Sequence, residues 1–160
     1  MFHVKHEPGI DIVVCDQADP RLVGLLQIHK AFAEANTPTG SGHAIDAGEA
    51  LPSSLEYVLA VEDGHALGCC GLLELTQGHG ELKSLHVLES ARGRGLGETL
   101  VKTILERAKV RGFERVSLET GRSEGFAASR RLYERVGFEP SEPFGAYKHD
   151  PFSYCMTSML

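Results

Sequence analysis

Apolar positions along this chain switch between strand-like runs and helix-like stripes, and the switches outline its elements. Residues 10–14 form a short β-branched run and predict a first strand. From Asp19 onward, Leu22, Val23, Leu25, Leu26, Ile28 and Phe32 belong to a helix, with Asp19 placed to cap it and Pro20 suited to its first turn. Residues 36–48 are rich in Thr, Gly, Ser and Pro. They read as a long loop, of a length often functional in compact domains, leading to a short helical piece over 47–51. Three strands follow over 56–62, 66–75 and 81–87, separated only by Asp63-Gly64 and by residues 77–80. Connections so short require an antiparallel meander, because a parallel crossover needs about a dozen residues or more.

After Val87 the pattern changes. A Gly/Arg loop over 92–97 runs into a helix whose Leu100, Val101, Ile104, Leu105 and Ala108 form a one-sided stripe, ended by Gly112. A strand over 115–120, a helix over 126–136 stopped by Gly137, and a strand over 155–160 complete the pattern. The order β-α-β-β-β-α-β-α-β predicts an α/β (α+β) fold, a mixed sheet flanked by helices, in a single domain over residues 1–160.

Composition narrows the function. A net charge of −6 argues against general nucleic-acid binding, whose affinity comes from clustered Lys and Arg. No run approaches the ~18 apolar residues of a membrane span, and the N-terminus lacks the apolar core of a signal peptide. A cytoplasmic location with no membrane partner is expected. The four cysteines, Cys15, Cys69, Cys70 and Cys155, lack metal-ligand spacing and read as reduced, mostly buried thiols. The histidines show no ligand spacing either, so no metal is expected.

The chemistry concentrates after the third strand of the meander. Strand residues 81–87 feed Arg92-Gly93-Arg94-Gly95-Leu96-Gly97, which opens a helix at Glu98. Glycines let backbone N–H groups approach an anion, the helix N-terminus adds partial positive charge, and two arginines add full charges. This is a pyrophosphate cradle in an acidic chain. A dinucleotide fingerprint fails on spacing: its third glycine would fall on Glu98, although Glu119 lies about twenty residues on, where a ribose-binding acid would stand. A phosphate loop of the G-x-x-x-x-G-K-S type is also absent.

The pattern that fits is R-x-x-G-x-G, carried by Arg92, Gly95 and Gly97, and here the chain resembles the GNAT acetyltransferases. Leu85-His86-Val87 resembles the strand end before their acetyl-CoA loop, and Leu132-Tyr133 with Gly137-Phe138 resembles their L-Y-x-x-x-G-F segment. A little-characterised bacterial subgroup shares further segments, here residues 80–84, 119–121 and 143–147. The resemblance implies six to seven mostly antiparallel strands, about four helices, and acetyl-CoA as co-substrate. Leu85, His86 and Val87 would lie along the pantetheine arm, chiefly through backbone groups, with one N–H polarising the thioester carbonyl. Arg92, Gly93, Arg94, Gly95, Leu96, Gly97 and Glu98 would form the phosphate site. An asparagine common in the family is replaced here, with Phe126 and Ser129 at the positions concerned, so that side-chain contact to pantetheine does not carry over.

Tyr133 matches the tyrosine that supports the departing thiolate. Glu81 is the first candidate base and Glu119 its rival, since two carboxylates at neighbouring strand ends can raise one pKa. His43, Asp46, Lys83, Arg122 and Tyr147 are candidate acceptor contacts. Their mixed charges suit a small amino-acid-like or amino-metabolite acceptor attacking directly in a ternary complex, with Lys83 or His43 facing its polar end. A non-catalytic acyl-CoA sensor and a protein Lys or N-terminal acetyltransferase are the alternatives. The resemblance favours a homodimer over a monomer.

Overall fold

The computed structural model describes residues 7–38 and 52–160. Strand β1 (Asp11–Cys15) leads to helix α1 (Pro20–Ala35), and the meander β2 (Glu56–Glu62), β3 (His65–Thr76) and β4 (His79–Val87) follows. Helix α2 (Leu96–Val110), β5 (Arg115–Gly121), α3 (Ala127–Arg135), β6 (Glu139–Pro140) and β7 (Ser153–Met159) complete the order. One seven-stranded sheet results, ordered β1-β2-β3-β4-β5-β7-β6. Every neighbouring pair is antiparallel except β4 and β5.

The differences from the sequence expectations are local. β4 starts at His79 rather than Glu81, because Gln77 and Gly78 alone turn the chain, with Gly78 at φ +83° and Thr76 paired to His79. The seventh strand is the two-residue β6, too short to leave a hydrophobic pattern. Three α-helices, not four, stand among the described residues, joined by single 3-10 turns at Glu89–Ala91 and Glu124–Phe126. The short helix expected over 47–51 lies outside those residues, as do His43 and Asp46. Asp19 does cap α1, accepting from the Arg21 N–H at 2.9 Å.

Two cores divide the sheet. On one face, Leu22, Leu25 and Leu26 of α1 pack on Tyr57, Leu59 and Cys69. On the other, Leu96, Leu100, Val101, Ile104 and Ala108 of α2 pack on Val58, Ala60, Leu72, Leu82, Val116 and Leu118, joined by Tyr133 and Phe138. Each fully buried Leu or Ile contributes about 1.5–3 kcal/mol, so the predicted stripe of α2 suffices to fix that helix. Strand alternation then sorts the polar groups. Leu82 on β4 and Leu118 on β5 face α2, which turns Glu81, Lys83 and Glu119 to the α1 face.

Candidate active site

β4 and β5 pair only at His79–Arg115, Gly80–Val116 and Glu81–Ser117, and then diverge. Beyond Glu81, β4 keeps its bonds to β3 while β5 keeps its bonds to β7, so the sheet opens between two supported edges. Where they part, β4 carries a bulge. Cys69 opposes His86 and Gly71 opposes Lys83, so Ser84 and Leu85 together stand opposite Cys70. Ser84 takes φ +55° to make it. The bulge brings Leu85 and Val87 to the α2 core and leaves His86 against α1. The opening is a cleft of about 430 Å³.

The loop below it fits a phosphate group. Gly95 holds φ +75° at the N-cap of α2, where a residue with a Cβ is strained, and no side chain caps the helix. The first N–H groups of α2 are therefore left for a ligand. Gly97 serves packing: a Cβ there would lie 2.9 Å from Leu132 Cδ1, so any larger residue would make the Leu132 side chain shift. Leu85, His86, Val87, Arg92, Gly93, Gly95, Leu96, Gly97 and Glu98 all line the cleft. Arg92 folds back, its Nε donating to the Val87 carbonyl at 3.3 Å.

Arg94 does not join them. Its guanidinium donates to Glu7 twice at 2.8 Å and to Glu62 at 2.6 Å, tying the loop to the N-terminal segment and the end of β2 outside the cleft. Arg122 is also displaced: its Nε donates to the Ser153 carbonyl at 2.8 Å and its guanidinium covers the Tyr154 ring, again outside the cleft. The R-x-x-G-x-G spacing carries no information on which way the middle arginine turns.

Tyr133 is 5% exposed, packs edge to face on Phe138, and borders the cleft from the α2 side. Its hydroxyl makes no hydrogen bond among the described residues. Burial pushes its pKa well up, so the phenol stays protonated and able to donate. Across the opening, Glu81, Lys83, Glu119 and Tyr147 form one cluster. Glu81 is 4% exposed, and its Oε2 accepts from Tyr147 at 2.5 Å and from Lys83 Nζ at 3.2 Å. Glu119 accepts from Ser153 Oγ at 3.3 Å. Burial, seconded by the neighbouring Glu81 charge, pushes its carboxyl up to about 7.

Sequence reasoning missed a third group, His29, Phe32 and Phe126, which line the cleft with His86. Phe32 was legible only as part of the stripe of α1, and the i,i+3 spacing of His29 and Phe32 was the sole signal that they share a side. Arg135, at the end of α3, borders the cleft as well.

A sheet opened between two parallel strands, with an uncapped glycine-headed helix at its mouth, suits a phosphorylated ligand lying in the cleft. The chain belongs to the acetyltransferase (GNAT) family, whose description it matches over residues 22–138. Members use acetyl-CoA. It is 35% identical to the N-acetyltransferase YsnE of Bacillus subtilis, over 93% of this chain and 99% of that one. It is 32% identical to the IAA acetyltransferase of Azospirillum brasilense, over 77% of this chain and 80% of the other. The solved structure of an acyl-CoA N-acyltransferase from Klebsiella pneumoniae superposes with a TM-score of 0.81 at 26% identity, covering 94% of this chain and 97% of that one.

Proposed function

We propose that the protein acetylates the amino group of a small molecule by direct transfer, with Glu119 as general base and Tyr133 as general acid. The observation that supports it most is the division of the cleft: a protonated phenol on the α2 side and a carboxyl poised near neutral pH on the α1 side. A base works best when its pKa lies near the operating pH. Glu81 is less available to an acceptor because its Oε2 already accepts from Lys83 and Tyr147. Its charge instead raises Glu119, which makes it a positioning residue.

The loop 93–97 and the N-terminus of α2 would hold the pyrophosphate, with Arg92 beside them. Backbone groups of Leu85 and Val87, presented by the bulge, would align the pantetheine arm. Acetyl-CoA supplies an acetyl group activated as a thioester. Glu119 takes a proton from the acceptor ammonium, the freed nitrogen forms the new N–C bond, and the C–S bond breaks. Tyr133 gives its proton to the departing sulfur, and the second proton, which the acetylated nitrogen sheds as it becomes a neutral amide, passes to solvent, from which Tyr133 is reprotonated. Glu81 and Glu119 together outweigh the single Lys83 charge, so the cluster as a whole favours a cationic amine. The name of the Azospirillum relative specifies a discrete compound, which favours a metabolite over a protein acceptor.

The test is acetyl-CoA consumption with a panel of amino metabolites and Lys-rich or N-terminal peptides. Turnover with metabolites, lost roughly 10²- to 10⁴-fold in Glu119→Gln, is expected. CoA binding without turnover on any amine would indicate a sensor, and a preference for peptides would overturn the acceptor class.

A further inference from the structure

One wall of the cleft is aromatic and takes no part in the steps above. His29 and Phe32 lie on one side of α1, His86 comes from β4, and Phe126 from the turn before α3. Their rings meet edge to face, with centroids 5.2 Å apart for His29–His86, 5.9 Å for Phe32–His86 and 5.5 Å for Phe32–Phe126. The two imidazoles share a contact of 3.1 Å between their Nδ1 atoms, in which one donates and the other accepts. Phe126 lies flat on Gly121, where any Cβ would be 2.3 Å from its ring. All four rings line the cleft.

The position of the wall decides what it can touch. It stands on the α1 face, with Glu81, Lys83 and Glu119, and across the sheet from Tyr133 and α2. Burial lowers both histidines, His29 to about 4 with the neighbouring His86 adding to the effect, and Arg92 adds to it for His86. At neutral pH the two imidazoles are therefore uncharged, while the Arg92 guanidinium lies 6.0 Å from the Phe32 ring centroid at the edge of the wall. One cleft thus offers a carboxylate cluster for an ammonium and an aromatic surface beside it.

We infer that His29, Phe32, His86 and Phe126 form a subsite for the non-reacting end of the acceptor, and that the acceptor is a small primary amine carrying an aromatic ring. This rests on the acetyltransferase reading above and narrows its substrate. Four rings already in edge-to-face contact offer a fifth ring the geometry that aromatic pairs prefer. A purely aliphatic amine of the same length would forfeit that contact.

The experiment compares 2-phenylethylamine with ethylamine, and phenylalanine with alanine, in the wild type, Phe32→Ala and Phe32→Leu, alongside calorimetric CoA affinity. Phe32→Leu keeps apolar bulk and guards against a variant that fails to fold. Wild-type kcat/KM should favour the aromatic member of each pair by roughly 100-fold, the scale on which apolar pockets discriminate. In both variants that ratio should fall at least about tenfold through KM, with CoA affinity unmoved. Equal use of aromatic and aliphatic amines by the wild type overturns the subsite alone. So does a loss of CoA affinity in both variants with every acceptor slowed alike, which would assign the wall to the pantetheine arm. No acetylation of any amine overturns the acetyltransferase reading and the subsite with it.

Discussion

The two faces of the sheet reach the same cleft by different means. On the α2 face the proposed cofactor machinery comes from one short segment: strand end, glycine loop and helix N-terminus follow within residues 85–98. Much of its chemistry is backbone, so the glycine spacing that creates it is also its signature. On the α1 face the proposed acceptor groups come from several separate places, among them His29 and Phe32 on α1, Glu81 and Lys83 on β4, Glu119 on β5, and Tyr147 after β6. Side chains act there, and which of them meet depends on strand alternation and on one bulge. A family can hold the first face constant and vary the second.

If that division is right, damage to the two faces should differ in kind. The largest effect is expected at Gly95. Gly95→Val puts a β-branched residue at φ +75° and a side chain where phosphate must approach, so CoA binding should fall roughly 100-fold or more by calorimetry. Tyr133→Phe comes next. It keeps the ring on Phe138 and removes only the proton donor, so turnover should drop roughly 10²- to 10⁴-fold with CoA affinity kept. A fully active Phe variant would return Tyr133 to a packing role.

The arginines sharpen the comparison at smaller magnitude. Arg92→Gln should weaken CoA binding roughly tenfold at low salt and less at high salt, because its charge borders the cleft. Arg94→Gln should change it roughly twofold or less, since that guanidinium is spent on Glu7 and Glu62. Equal salt-dependent losses in both variants would place Arg94 at the phosphates after all.

Glu119 also leaves a mark on stability. Its folded pKa is raised to about 7 from 4.5, so its favourable contribution is present below pH 4.5 and is lost as pH rises through 7. Glu119→Gln removes that loss. The variant should gain on the order of 1–3 kcal/mol relative to wild type between pH 5 and pH 8, read as a smaller fall in Tm.

The sequence showed the fold nearly whole, since the meander, the stripe of α2 and the cap of α1 are local patterns. It missed β6, whose two residues pair with β7 by tertiary placement alone. In the site, Tyr133 and the glycine loop were legible because they lie on short motifs. Which of Glu81 and Glu119 has its oxygens free for an acceptor was not, because it turns on Tyr147, which is 66 residues away from Glu81 and donates to its Oε2. The same holds for the aromatic wall: His29 meets His86 across 57 residues, and on α1 alone it looks like any half-buried histidine.

The central claim, that Glu119 is the base and that the Glu81 charge adds to the burial that raises its pKa, is tested most directly by the pH dependence of kcat/KM in wild type, Glu119→Gln and Glu81→Gln. Wild-type activity should rise with pH through an apparent pKa near 7, as the carboxyl loses its proton. The rise should vanish in Glu119→Gln and shift to lower pH in Glu81→Gln, where the neighbouring negative charge is gone. A limb unchanged in Glu119→Gln, or one abolished in Glu81→Gln alone, would contradict it.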